Sequence, residues 1–516
     1  MHFASLTVLL LAVAAANATR DWSSTTLVSS STTELYDYGG VTATGPPPML
    51  AETNPVYFDD QETFQPNDLL QTSQPIEGSE GRNIFHLMGN LSPYFAPEEG
   101  FGVDEYPLPN GANISQVHLL HRHGSRYPTG GEPLESIVGS LSFLNNYSLK
   151  LGVNSLVPKG REELFESGVN SSKLLVRSTT VERVVKSTQN FLAGFFGLDW
   201  QEHAEILQLV AADGFNSSLT ASYICKNGAR LATSPGIDAA NEWRNIYLDK
   251  KTKMLSNWAG GFNWTVSDTA NAQNLCPYET VALGYSPFCE LFDYDEWEGF
   301  SYTMSIIMSS IVGFGSPISR ATGIGWVEEF LARVNGHLLD IPAGLTSANL
   351  TLDRDPATFP LSQPLFFDFA HDVTILSVLS AFGITQFADI LPASGPPADQ
   401  QFHTDSITPF AARLNIEIID APHEVTGERS YKLEDNDDYI PATGRTRYVH
   451  FLLNQRTVPL HASFKECEQR DDGWCELETF LQIQKRSLGK AQFQYSCNGD
   501  WDMGPYGSVT NGVPAQ

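Results

Sequence analysis

The residues best placed to do chemistry crowd into one stretch, His118 to Thr129, where Arg122, His123 and Arg126 lie within five positions of one another. Gly124 and Pro128, both turn formers, interrupt the chain there. Arginine presents a rigid planar fork of donors that matches phosphate oxygens in pairs, a geometry lysine lacks. An imidazole held among such forks could attack a phosphorus atom whose oxygens the forks neutralise. Two plainer readings stand beside this one. An arginine pair near a histidine is also what a salt-bridged loop looks like. His121 and His123 form a His-x-His pair that would point to one face of a strand and could hold a metal. Against the metal, no nearby Cys, Asp or His run supplies more ligands, and Arg122 would put a positive charge beside the ion.

Arg122-His123-Gly124-x-Arg126-x-Pro128 resembles the signature of the histidine acid phosphatases, and the text from Val117 to Thr129 is similar to the secreted fungal phytase-like members. A second family element, His371-Asp372, follows about 250 residues later behind an apolar run. A third, Arg177-Ser178-Thr179, stands between them. The resemblance implies that His123 is a nucleophile forming a phosphohistidine and that Asp372 protonates the leaving group. It further implies that Arg122, Arg126, Arg177 and His371 bind the phosphate, with neither a cofactor nor a metal required. The implied function is that of a secreted phosphomonoesterase acting at acidic pH on small-molecule phosphate monoesters, phytate among them. A different class of reading keeps the scaffold but not the activity: a catalytically weak secreted glycoprotein with a binding or cell-surface role. The chain departs from the family in three places. Val373 follows His371-Asp372 where many relatives have Asn. Ala112 stands where relatives often carry a cysteine before the motif. Positions 130–149 hold Glu132 and Glu135 but no Lys or Arg, whereas phytases commonly place lysines soon after the motif, which favours a broad phosphomonoesterase.

Elements must bring these pieces together. Gln116 to Leu120, Leu174 to Val176 and Pro364 to Ala370 read as short buried strands. Helices are expected over Pro158 to Ser172, from a capping box at Thr179 to Glu182 through Phe195, over Glu328 to Gly336, and over Thr374 to Phe382 closed by Gly383. Strands alternating with helices argue for an α/β fold. The resemblance makes it a central, mostly parallel sheet flanked by helices, phosphoglycerate-mutase-like, with a smaller, mainly helical inserted subdomain at about 201–345. Arg177 is expected at a strand-to-helix turn, where ligands gather in open α/β sheets. Lys250, Lys251 and Lys253 read as a solvated helix face. Asp372 could also be no more than a helix N-cap.

At the N-terminus, residues 1–18 carry an apolar run ending in Ala16-Asn17-Ala18, which reads as a signal peptide. Residues 19–80, rich in Ser, Thr, Pro and Gly, read as a flexible extension, leaving 81–516 for the phosphatase domain. Seven Asn-x-Ser/Thr triplets, at Asn90, Asn113, Asn146, Asn170, Asn216, Asn263 and Asn349, are candidate glycan sites in an exported chain. The six cysteines suit an oxidising compartment, outside the cell, in the cell wall or in a vacuole. Their connectivity does not follow from sequence. Short-range closure favours Cys276–Cys289 and Cys467–Cys475, which leaves Cys225–Cys497. The 31 basic and 60 acidic residues give a net charge of −29. Such a field repels nucleic acid and anionic membranes, so no nucleic acid or membrane partner is expected. It repels phosphate esters at neutral pH as well, and eases as carboxylates protonate, which points to an acidic optimum.

Overall fold

The computed structural model describes residues 72, 76–129, 155–157, 173–260, 262–284, 286–430 and 438–515. The expected signal peptide, most of the N-terminal extension, the helix at Pro158 to Ser172, and Asn146 and Asn170 lie outside the described residues. Eight strands among the described residues form one sheet: β1 (Asn113–Arg122), β2 (Leu174–Thr179), β3 (Ala204–Leu209), β4 (Leu365–Ala370), β5 (Arg413–Ala421), β6 (Thr446–Leu453), β7 (Arg456–Thr457) and β8 (Cys475–Glu476). Their order is β3-β2-β4-β1-β5-β6-β7, with β8 also on β6. Pairings β2/β3, β2/β4 and β1/β4 are parallel, and those from β1/β5 outward are antiparallel. The sheet is therefore mixed rather than mostly parallel. The connections up to β4 bring the strands in parallel, whereas the one from β4 to β5, which carries a helix, brings β5 in antiparallel to β1.

Helices cover both faces. On one, α1 (Glu182–Phe196) lays Phe191 and Leu192 against Leu119, Val176, Phe367 and Phe369. On the other, α2 (Ser319–Val334) and α3 (Asp372–Phe382) pack against each other and the sheet through Ile324, Phe330, Leu379 and Phe382. Gly323 permits the close crossing of these two helices, since a Cβ there would stand 2.0 Å from the Ser377 carbonyl oxygen. The long helical stretch lies between β3 and β4. It starts after Leu209, not at 201, because β3 pairs with β2 along its whole length. The α1 start also differs from expectation. Val181 is the N-cap and makes no side-chain cap bond, so Thr179 to Glu182 is not a capping box; Thr179 Oγ1 instead accepts from Val181 N.

Residues Ile76 to Glu80, expected in the flexible extension, dock on the body. Ile76 is buried, and Tyr294 N donates to Glu77 O. The basic cluster is also less solvated than its composition suggests, because Lys251 is buried and pairs with Glu296 at 3.0 Å. Disulfides join Cys225–Cys497, Cys276–Cys289 and Cys467–Cys475. The first closes the longest span, 272 residues, and ties the segment after β3 to the C-terminal region.

Candidate active site

β1 and β4 run side by side and end together, with His121 opposite Phe369 and Arg122 opposite Ala370. Just past that edge His123 N donates to Ala370 O, and Ala411 N donates to His123 O. The backbone thus clamps His123 between β4 and the loop entering β5. Gly124 N donates to Ser187 Oγ on α1, and Tyr127 N and Val157 N bond to Ser155 and Ser125, fixing the loop that carries Arg126. His371 is the N-cap of α3, and Asp372 opens its first turn. The residues gather outside the C-terminal ends of parallel strands, the usual position for a ligand in an α/β sheet.

The His123 ring is buried and stands perpendicular to that of His371, with centroids 5.6 Å apart. Its Nδ1 lies 2.9 Å from Gly124 O. A carbonyl can only accept, so Nδ1 carries the hydrogen and Nε2 keeps its lone pair. Burial, then the charges of Arg183, Arg122 and Arg126, hold the His123 pKa well below the ordinary imidazole value. Burial, with Arg183 again the leading cation, pulls His371 down to about 3. Both rings stay neutral in mildly acidic water.

Arg122 is fully buried. Nη1 donates to Asn90 O and Thr408 O, and Nη2 meets Asp372 Oδ2 at 2.9 Å. Arg126 is buried too, with Nη1 donating to Tyr127 O. Burial alone would raise the Asp372 pKa, but Arg122 and the Asn90 amide outweigh it and hold the carboxylate below its usual range. Asn90 Nδ2 donates to Asp372 Oδ2 at 2.8 Å.

One residue expected here is elsewhere. Arg177 does not reach this site. β2 continues to Thr179, so Arg177 is mid-strand rather than at a turn, and its side chain points into the layer under α2. There Nε and Nη2 form a fork on Asp368 at 2.6 and 2.7 Å, and Nη2 also meets Glu329 at 2.6 Å. Arg333 and Trp326 complete the shell of Asp368. The arginine that does charge the site from this side is Arg183, in the first turn of α1; its field reaches His123, His371 and Asp372. Burial and the neighbouring Arg126 lower its pKa to about 9, which leaves it cationic in acid. Nor is Asn90 a glycan site. It is 4% exposed, its amide is committed to Asp372, and Ser92 of the same triplet is buried with Oγ accepting from Met88 N. A glycan on Nδ2 would break the Asp372 bond and has no room. Asn113, Asn216 and Asn263 are exposed and Asn349 is half-buried.

The His-x-His pair does not converge. The His121 ring stacks on Phe369 and meets Phe191 edge-on in the layer under α1, while His123 faces His371. His121 is a core histidine, with Nδ1 donating to Arg122 O.

Residues 113–454 match the family model described as histidine phosphatase superfamily (branch 2). Among curated relatives, the chain is 26% identical over 439 residues to Phytase A of Aspergillus oryzae, covering 77% of this chain and 88% of that one. It is 28% identical to Phytase A of Arthroderma benhamiae, covering 80% and 91%. With Phytase PHO112 of Candida albicans the identity is 26%, covering 87% and 98%. Among solved structures, the phytase from D. castellii superposes with a TM-score of 0.61 at 20% identity, over 82% of this chain and 89% of that one. The multiple inositol polyphosphate phosphatase of Bifidobacterium longum, in complex with phosphate, gives 0.51 at 16% identity, over 78% and 97%.

Proposed function

Because the chain belongs to the histidine phosphatase superfamily, branch 2, and is a phosphoric monoester hydrolase of the acid phosphatase and phytase type, we propose that His123 is its nucleophile and Asp372 its proton donor. The observation that carries this reading is a neutral imidazole of fixed tautomer, set among guanidinium charges and facing His371, next to which Asp372 opens a helix. His123 Nε2 attacks phosphorus, the P–O bond to the leaving group breaks, and the departing oxygen takes a proton from Asp372. Water then attacks the phosphohistidine and gives a proton back to Asp372. The P–N bond breaks, leaving orthophosphate and the neutral ring.

Arg126, Arg183 and His371 face the equatorial oxygens in this scheme, where charge spreads in the transition state. Arg122 adds positive field and holds Asp372. The N-terminus of α3 favours negative charge at the same spot. Arg183 takes the role that the family resemblance implied for Arg177.

Acid operation follows from two protonation states. Arg122 and the Asn90 hydrogen bond favour the ionised form of Asp372, so its proton must arrive from the medium or with the substrate. A phosphate monoester keeps one proton below its second pKa of about 6. Above that pH both the ester and Asp372 are deprotonated and the leaving group finds no acid. Below it the His371 ring resists protonation down to about 3, and burial keeps the His123 ring neutral well below the ordinary imidazole range. Activity should form a plateau between these limits. Quenching the enzyme with ³²P-labelled ester should trap label on the native protein and none on His123→Ala; label retained by the variant would refute the assignment.

On substrate, phosphate esters are the class, and phytate enters this reading through relatives named phytase. We place the enzyme in an oxidising, exported setting, which the three disulfides support. Among the described residues no helix is long and apolar enough to cross a membrane. The reading as a catalytically weak glycoprotein is not favoured. Comparing kcat/KM for phytate and a simple aryl phosphate tests how broad the site is.

A further inference from the structure

We infer that Asn90 is a positioning residue for the proton transfer, selecting which oxygen of Asp372 carries the proton. The inference rests on Asp372 being the proton donor. Asp372 Oδ2 accepts a hydrogen bond from Asn90 Nδ2 at 2.8 Å and forms an ion pair with Arg122 Nη2 at 2.9 Å. Among the described residues, Oδ1 accepts only the backbone N–H of Val373, at 2.9 Å. A proton on Oδ2 would have to displace the Asn90 donor and sit against the Arg122 charge. The proton therefore resides on Oδ1, and Oδ1 is the oxygen that hands it to the leaving group. Without the Asn90 donor, Oδ2 keeps a single partner, and the carboxyl can rotate or protonate on the wrong side.

The placement of Asn90 is built into the fold. It sits in the turn Gly89–Leu91, where Gly89 has φ +57° and a Cβ would meet Met304 at 2.4 Å. Only glycine allows the turn to lie that close to the helix bearing Met304. Ser92 pins the far side, its carbonyl accepting from Phe410 N. The Asn90 carbonyl oxygen receives Arg122 Nη1, so one residue holds both partners of the Arg122–Asp372 pair. Its side-chain Oδ1 is buried with no hydrogen-bond partner among the described residues. A flipped amide would turn that oxygen on the carboxylate, so the Asp372 bond fixes the orientation. A buried acceptor left unmatched costs stability, which marks this amide as kept for Asp372 and not for the core.

The test compares esters that differ in their need for a proton. p-Nitrophenolate leaves readily as an anion, whereas the alkoxide of glycerol 2-phosphate must be protonated. In Asn90→Leu, kcat/KM for glycerol 2-phosphate should fall roughly tenfold more than for p-nitrophenyl phosphate, a fraction of what a complete general acid contributes. The basic limb of the pH profile should also move up, because a hydrogen bond to the charged form of Asp372 is gone. Asn90→Asp, equal in volume, removes the donor as well and adds a like charge. It should shift the limb further, and it decides the matter if the Leu variant does not fold. Equal losses on both esters with an unmoved limb would overturn the inference. Asp372→Asn separates the two layers. If it fails to discriminate between the esters, the proton-donor reading itself is wrong; if it discriminates and the Asn90 variants do not, only the inference falls.

Discussion

Arg177 and Arg183 are six positions apart, the first buried and the second half-buried, and they face different groups. Arg177 neutralises Asp368, whose pKa is held far below the ordinary range although burial alone would raise it. Its loss would strand a carboxylate in the core, an uncompensated charge that costs about 3–5 kcal/mol. Arg183 lies in the field of the reacting groups, and a donor lost from such a place costs about 10²–10³ in rate. Thus Arg177→Ala should lower the melting temperature steeply or prevent folding, while Arg183→Ala should melt near the native temperature and lose most of its kcat. Thermal unfolding and phosphate release on the same preparations check both. A stable, inactive Arg177→Ala protein would restore it to the site. The sequence carried a sign of this exchange in Phe366-Phe367-Asp368-Phe369: an aspartate inside an apolar strand needs a buried cation, and Arg177 on the neighbouring strand is the one in register.

At the scale of elements, the parts of the site formed by contiguous text were legible: the β1 edge with His123, and the β4-to-α3 turn with His371-Asp372. Both are apolar strands that stop at a polar turn, a pattern that local propensity and burial specify together. What depends on long-range pairing was not. Asn90 reaches Asp372 across 282 positions, and nothing in a short Asn-Leu-Ser triplet separates a buried amide from a glycan acceptor. The apolar run stops at Val176 although the strand continues to Thr179, because Arg177 is balanced inside the sheet by Glu329 and Asp353, which lie on distant elements. That same network sets a pH dependence. Three buried carboxylates, Asp353, Asp368 and Glu329, face two buried guanidiniums, Arg177 and Arg333. Neutrality requires one proton, and burial together with the neighbouring Glu329 pushes Asp353 up to about 8. Between its unfolded value near 3.8 and that folded value, the native state holds a proton the unfolded chain has released. Stability must then decline as pH rises through this window, by up to about 1.4 kcal/mol per unit for one group. Asp353→Asn, which mimics the protonated acid, should match the native protein at pH 4 and exceed it at pH 8 in urea unfolding; parallel declines would discard this account.

The whole molecule carries −29 against a site assembled from arginines. These two fields act on an anionic substrate at different ranges. In the proposed scheme the buried guanidiniums act on the phosphate at contact range, where salt screens little, whereas the surface carboxylates act from beyond the Debye length of about 10 Å at 0.1 M. Added salt should therefore remove repulsion faster than attraction. At pH 7 the KM for a phosphate ester should fall by about threefold between low and moderate ionic strength, an effect of long-range field rather than contact. Near pH 4.7, the isoelectric point of the chain, the surface repulsion is largely titrated away and KM should be nearly flat with salt. Initial rates with a non-binding salt at the two pH values make the comparison. A KM that rises with salt at pH 7 would show that the pocket cations, not the surface, govern approach. The acid preference would then rest on Asp372 and the ester's own proton, without help from the molecule's charge.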